Sequence, residues 1–134
     1  MTSTHFTDAE LSCRHCGRNE CKPELLAALE AFRVVVGRPV TVDDAYRCPE
    51  HNAAVGGVPN SEHTKGIAAD VKVPGMEPSK MYVAALMVPA FANGGIGVAE
   101  RQCYIHLDTR PGRARWCYDE HGKACAWDGS LGKG

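Results

Sequence analysis

Two short stretches of this sequence alternate so regularly that they commit the chain to a sheet with one dry face and one chemically occupied face. From Ile67 to Val73, the residues Ile67, Ala69, Val71 and Val73 point one way, while Ala68, Asp70 and Lys72 point the other. From Cys103 to Asp108 the apolar set is Cys103, Ile105 and Leu107, and the opposing set is Tyr104, His106 and Asp108. Each strand thus gives one face to a core and leaves a face carrying imidazole or carboxylate free to line a site.

The elements that must cover the apolar face are visible in the same way. Pro23 opens a helix in which Leu25, Leu26, Leu29, Phe32 and Val36 recur at helical spacing, and Gly37 stops it. Thr7 caps a short helix from Asp8, and Pro49 begins another that Gly56-Gly57 ends. Pro78 starts a helix reaching about Leu86, before Pro89 and Asn93-Gly94-Gly95 break the pattern. Further strands are expected from Val40 to Val42, Ile96 to Val98 and Ala114 to Tyr118. The fold class predicted is α+β, a small antiparallel sheet with flanking helices. It forms one domain over residues 1–118, with a loosely packed, glycine-rich tail over 119–134. A chain of 134 residues suits one core, and with only 7% aromatic residues that core must come mainly from Val, Ala, Leu and Ile.

Charge and patterning exclude several functions. Lys plus Arg number 15 against 16 Asp plus Glu, so the chain lacks the basic footprint of a nucleic-acid binder. No apolar run approaches the roughly 18 residues of a membrane span, and the opening MTSTHFTDAE has neither the basic nor the apolar region of an export leader. The expectation is a cytoplasmic monomer with no nucleic-acid or membrane partner. Seven cysteines, an odd number, then favour metal binding or free thiols over a disulfide framework.

Metal chemistry is suggested most strongly by the segment from Ser61 to Asp70. It sets His63 in a loop and Asp70 seven residues later on the free strand face, with Gly66 and Ala68 leaving space between them. His106 occupies the free face of the second strand. Two histidines and a carboxylate, with a fourth position open to water, are the donor set of a catalytic zinc. His5, His15, His51 and His121 lack such a context and are read as structural or exposed. Separately, Cys13-x-x-Cys16 with Cys21 resembles half of a second, structural zinc site, which His15, Cys48 or His51 would complete. Cys103 is expected in the core, and Cys117 and Cys125 are near enough in sequence to pair on oxidation.

The motif Ser61-x-His63-x-x-Gly66-x-Ala68-x-Asp70, with Gly95-Ile96-Gly97-Val98 and His106-Leu107-Asp108, resembles the zinc D-Ala-D-Ala metallopeptidases of the M15 type. These share a fold with the Hedgehog signalling domain and are relatives of many phage endolysins. Tyr46-Arg47-Cys48-Pro49-Glu50-His51-Asn52, Val55-Gly56-Gly57, Pro59-Asn60 and Arg115-Trp116 extend the resemblance, in family order, over residues 5–118. It implies a zinc peptidase acting on peptidoglycan stem peptides or cross-bridges, as endopeptidase or carboxypeptidase, of the phage-endolysin kind and released to the wall by a holin.

The resemblance also implies residue roles. His63, Asp70 and His106 hold the zinc, which activates water near neutral pH and polarises the substrate carbonyl. Arg47 faces the active site and binds a substrate carboxylate or the oxyanion, with Ser61 and Tyr104 as further substrate contacts. The general base is less plain, because Cys103 and Tyr104 stand where branches of this fold carry a carboxylate or a histidine. Asp108 is the nearest carboxylate, read either as that base or as the partner that orients a zinc histidine, with Glu100 as a weaker candidate. Asp44-Ala45 replaces a common Ser-Gly, and Ala99 replaces a common aromatic. A rival reading is a zinc-bound recognition module of the same fold without catalysis. A Cys-rich nucleic-acid-binding domain is a second, which the neutral charge opposes.

Overall fold

A computed structural model describes residues 4–58 and 60–130; residues 1–3, Pro59 and residues 131–134 lie outside the described residues. The element order is α1 Asp8–Leu11, α2 Pro23–Val36, β1 Thr41–Asp44, α3 Pro49–Ala54, β2 Ala68–Lys72, α4 Pro78–Leu86, α5 Pro89–Ala92, β3 Gly95–Ala99, β4 Tyr104–Asp108, β5 Ala114–Tyr118 and β6 Ala124–Ala126. The architecture is α+β, and the six strands form one sheet in the order β1-β2-β4-β3-β5-β6. The sheet is mixed rather than wholly antiparallel. After the β3–β4 hairpin the chain returns on the outer side of β3, so β5 runs parallel to it.

The helices start and stop where local chemistry requires. Thr7 and Glu10 form a reciprocal capping box on α1. Proline occupies the first turn of α2, α3, α4 and α5, where its missing N–H costs nothing. Pro89, expected only to break a helix, also begins the one-turn α5 for that reason. α2 ends at Gly37, whose φ of +66° closes the last turn through its N–H to the Arg33 carbonyl.

The apolar strand face carries the core. Ala69, Val71, Ile105, Leu107, Ile96 and Val98 pack against Leu25, Leu29 and Phe32 of α2 and Met81, Tyr82 and Ala85 of α4. Cys103 corrects the reading of β4: it is exposed, at φ +59° in the β3–β4 turn, so the alternation begins one residue later than the pattern suggested. Part of the chain after Tyr118 is described. β6 pairs with β5, and a Cys117–Cys125 disulfide joins them with Cα atoms 5.1 Å apart. Trp127 then meets the Tyr82 ring edge-on at 4.8 Å, and the Tyr82 hydroxyl donates to the Gly129 carbonyl at 2.6 Å. Among the described residues no helix is long and apolar enough to cross a membrane.

Candidate metal centre

Strand register brings two of the three expected ligands together. Asp70 of β2 is the direct cross-strand partner of His106 of β4, so their side chains stand side by side on the face opposite the core. His63 arrives from a run of tight turns in which Thr64, Lys65 and Gly66 donate to the carbonyls of Ser61, Glu62 and His63. Gly66 is required there twice over. Its φ is +74°, and a Cβ would lie 2.0 Å from the Glu20 carbonyl oxygen. His63 Nε2 lies 3.4 Å and His106 Nδ1 3.0 Å from Asp70 Oδ1, and one donor atom from each of the three residues falls within 4.8 Å of the others.

Hydrogen bonds on the far side of each ring decide which nitrogen faces the centre. His63 Nδ1 is 2.7 Å from the Ala45 carbonyl, which can only accept, so Nδ1 carries the proton and Nε2 presents its lone pair. His106 Nε2 is 2.8 Å from Asp108 Oδ2, which leaves Nδ1 inward. Asp108 is fully buried and accepts from the Gly95 N–H (2.9 Å), the Arg110 N–H (3.1 Å) and the Arg110 side chain (2.7 Å to Nη2). Its oxygens are committed behind the His106 ring. Of the two roles open to Asp108, this geometry is that of the orienting partner.

The electrostatics test the fit of a cation. Burial disfavours the charged form of His106, yet hydrogen bonds with Asp108 and then Asp70 outweigh it and raise the imidazole to about 9. Burial likewise opposes the Asp70 carboxylate, but its interactions with the neighbouring His63 and His106 imidazoles hold it well below the usual range. Asp70 thus stands ionised beside the two imidazoles. Two imidazole nitrogens and one carboxylate oxygen so grouped suit zinc or a similar divalent ion.

A cavity of about 730 Å³ opens over the cluster, lined by Arg47, Ser61, Glu62, Tyr104, Trp116 and Tyr118 among others. Arg47 is clamped: Nε and Nη2 donate to Asp44 Oδ2 at 3.1 and 2.6 Å, and Nη1 donates to Asn52 at 2.8 Å. The Asp44-Ala45 pair thus acquires a meaning, one residue holding the arginine and the other holding His63. Ser61 accepts the His63 N–H at 3.2 Å. Tyr104 stacks obliquely on Tyr118 at 5.6 Å, and burial raises its phenol above the ordinary range, so it remains a donor at neutral pH. Glu100 and Cys103 sit in the β3–β4 turn, and neither lines this cavity.

Four contributors were not assigned a role from the residues alone: Glu62, Arg110, Trp116 and Tyr118. For Trp116 a signal existed in the Gly95-Ile96-Gly97-Val98-Ala99 pattern, whose small residues all fall on the site face. Gly97 pairs with both His106 and Trp116, and a Cβ there would lie 2.4 Å from the indole Nε1. The glycine makes room for the indole, which rests 5.0 Å from the His106 ring and is covered by the Arg110 guanidinium. The cysteine reading also changes. Cys13 and Cys16 are grouped with Cys48, not with Cys21, whose thiol turns toward the Leu11 carbonyl.

A two-histidine, one-carboxylate cluster on an α+β sheet, beneath an open cavity with a fixed arginine, is the kind of centre that metal-dependent hydrolases use. Residues 4–108 match the Peptidase M15 family, and the chain belongs to it. It is 35% identical over 98 residues to the peptidoglycan L,D-endopeptidase MepK of Escherichia coli (strain K12). The same figures hold for MepK of Escherichia coli O157:H7 and of Shigella flexneri. The alignment covers 68% of this chain and 52% of each relative, so the chain spans about half the length of the curated relatives it matches.

Proposed function

We propose that this protein is a zinc-dependent peptidase that hydrolyses the stem peptides or cross-bridges of peptidoglycan. The observation that carries the reading is the convergence of His63, Asp70 and His106 under an open cavity in a chain of the M15 family. The endopeptidase named for its relatives favours internal cleavage over D-Ala-D-Ala carboxypeptidase action. We take it to act as a monomer of the phage-endolysin kind, with holin-dependent access to the wall.

When bound, zinc supplies Lewis acidity that activates water near neutral pH and polarises the scissile carbonyl. The chain's own residues do the rest. Asp108, locked by Arg110 and Gly95, holds the His106 ring so that Nδ1 stays inward, and the Ala45 carbonyl holds the His63 ring so that Nε2 does. Arg47 commits part of its fork to Asp44 and Asn52 and offers its remaining N–H groups to a substrate carboxylate or a developing oxyanion. Tyr104 and Ser61 contribute hydroxyl donors along the wall. Among the described carboxylates lining the cavity, Glu62 is the one outside the expected ligand set, paired with Lys65 at 3.4 Å, and it is the group to test as proton acceptor.

The test is digestion of purified sacculi with the protein, followed by mass spectrometry of the released fragments. Cleavage at a peptide bond, abolished by chelation, restored by zinc and absent in His106→Ala, is expected. Intact sacculi after incubation with fully zinc-loaded protein would instead identify a recognition module. Glu62→Gln separates the proton-transfer role: kcat falls while zinc content stays at the wild-type level.

A further inference from the structure

A second group of metal-binding side chains lies away from the cavity. One sulfur from each of Cys13, Cys16 and Cys48 falls within 4.8 Å of the others, and all three are free thiols. Cys13 and Cys48 are buried, in a small apolar cluster with Tyr46 that stands apart from the main core. A buried free cysteine ordinarily behaves as a small hydrophobe. Here the Cys13 sulfur accepts the N–H groups of His15 (3.4 Å) and Cys48 (3.3 Å), and the Cys48 sulfur accepts that of His51 (3.4 Å). Backbone N–H groups aimed at sulfur stabilise the thiolate, the form that ligates a metal. A nitrogen is also at hand. His15 Nδ1 is 3.5 Å from the Cys48 sulfur, and its ring is stacked on His51, nearly parallel, at 5.8 Å.

We propose that Cys13, Cys16 and Cys48, with His15 at the fourth corner, bind a structural zinc ion that ties the N-terminal loop to the wall of the cavity. The three sulfurs already lie within 4.8 Å of one another, and His15, whose Nδ1 approaches Cys48, would close the set as the fourth donor, the make-up of a structural rather than a catalytic ion. Its value lies in what the ligands are attached to. Cys48 follows Arg47 directly and caps α3, accepting the His51 N–H. The Arg47 N–H in turn donates to the His63 carbonyl at 3.2 Å. On the other side, the loop carrying Cys13 and Cys16 meets the His63 turn through the Lys22 N–H to the Gly66 carbonyl at 2.8 Å. An ion joining Cys13 to Cys48 closes this circuit, holding Arg47 and His63 in register from behind. The donor soft enough to prefer zinc or cobalt over calcium or magnesium is the thiolate, which the catalytic cluster lacks.

The experiment is metal counting by elemental analysis on protein purified under reducing conditions, joined to absorption spectroscopy after cobalt replaces zinc. Two metal equivalents per chain are expected, with one remaining in His63→Ala and one in Cys16→Ser, while Cys21→Ala keeps both. The cobalt form of His63→Ala retains the intense near-ultraviolet thiolate-to-cobalt band, which needs no cysteine variant to fold. A single equivalent that disappears in His63→Ala, or a cobalt protein without that band, would overturn the proposal and leave the catalytic centre unaffected. Two equivalents with unchanged affinity in His15→Ala would remove His15 from the set.

Discussion

His106 stands between two carboxylates, Asp70 at 3.0 Å from one ring nitrogen and Asp108 at 2.8 Å from the other. In chelator-stripped protein the folded state holds its imidazole at about 9, against about 6.5 in an unfolded chain. A raised folded value means stability that is fully present below the unfolded value and lost as pH rises through the folded one. Thermal melts in chelator should therefore weaken between those two pH values. With zinc present the proton is a competitor for the ligand nitrogens, and stability over the same range rises instead. A flat profile in chelator would detach His106 from its carboxylates. Asp108→Asn tests the orienting role, since it breaks the geometry with Arg110 and changes what His106 can donate to. Loss of such a partner costs about 10- to 100-fold in metal affinity, readable by competition with a chromophoric chelator. Cys21 lies outside both clusters, and burial pushes its thiol up to about 11. It is expected to alkylate far more slowly at neutral pH than the exposed Cys103.

The strands act as rulers at the next scale. Antiparallel pairing of β2 with β4 sets Asp70 opposite His106, and pairing of β4 with β3 sets Gly97 opposite the same histidine. The parallel β3–β5 contact then brings Trp116 over Gly97. A Gly97→Val side chain would occupy the indole's place, so hydrolysis should fall sharply while the far-ultraviolet dichroism of the sheet persists. Wild-type activity in that variant would show that the Trp116 wall is dispensable. Past Tyr118, the β5–β6 hairpin is stitched to α4 by Trp127 on Tyr82 and by the Tyr82–Gly129 hydrogen bond. Trp127→Ala removes an edge-on aromatic pair worth about 1 kcal/mol, and a denaturant midpoint that drops accordingly is expected.

Taken whole, the molecule separates its core from its candidate site: helices and apolar faces form the core on one side of the sheet, and the His63, Asp70 and His106 cluster stands on the other. Zinc binding to the native state alone should raise the thermal midpoint with the logarithm of free zinc, by mass action. Much of this division was legible in the sequence. Alternation in Ile67–Val73 and Tyr104–Asp108 sorted core from site, because side chains on a strand point to opposite faces with a period of two. Helix caps and prolines marked α1 to α4, because the unpaired N–H groups of a first turn favour those residues locally. Chain pairing was not legible. The parallel β5, the β6 hairpin and the choice of Cys48 among the candidates to join Cys13 and Cys16 depend on which distant segments meet, and no local preference encodes that. The same holds for the surroundings of Asp108, where Arg110 and Gly95 close around its oxygens. The sequence alone determined which groups were available for the chemistry; the tertiary structure decided which lone pairs remained free to perform it, since a hydrogen bond uses up a donor or acceptor only once its partner has been brought within reach.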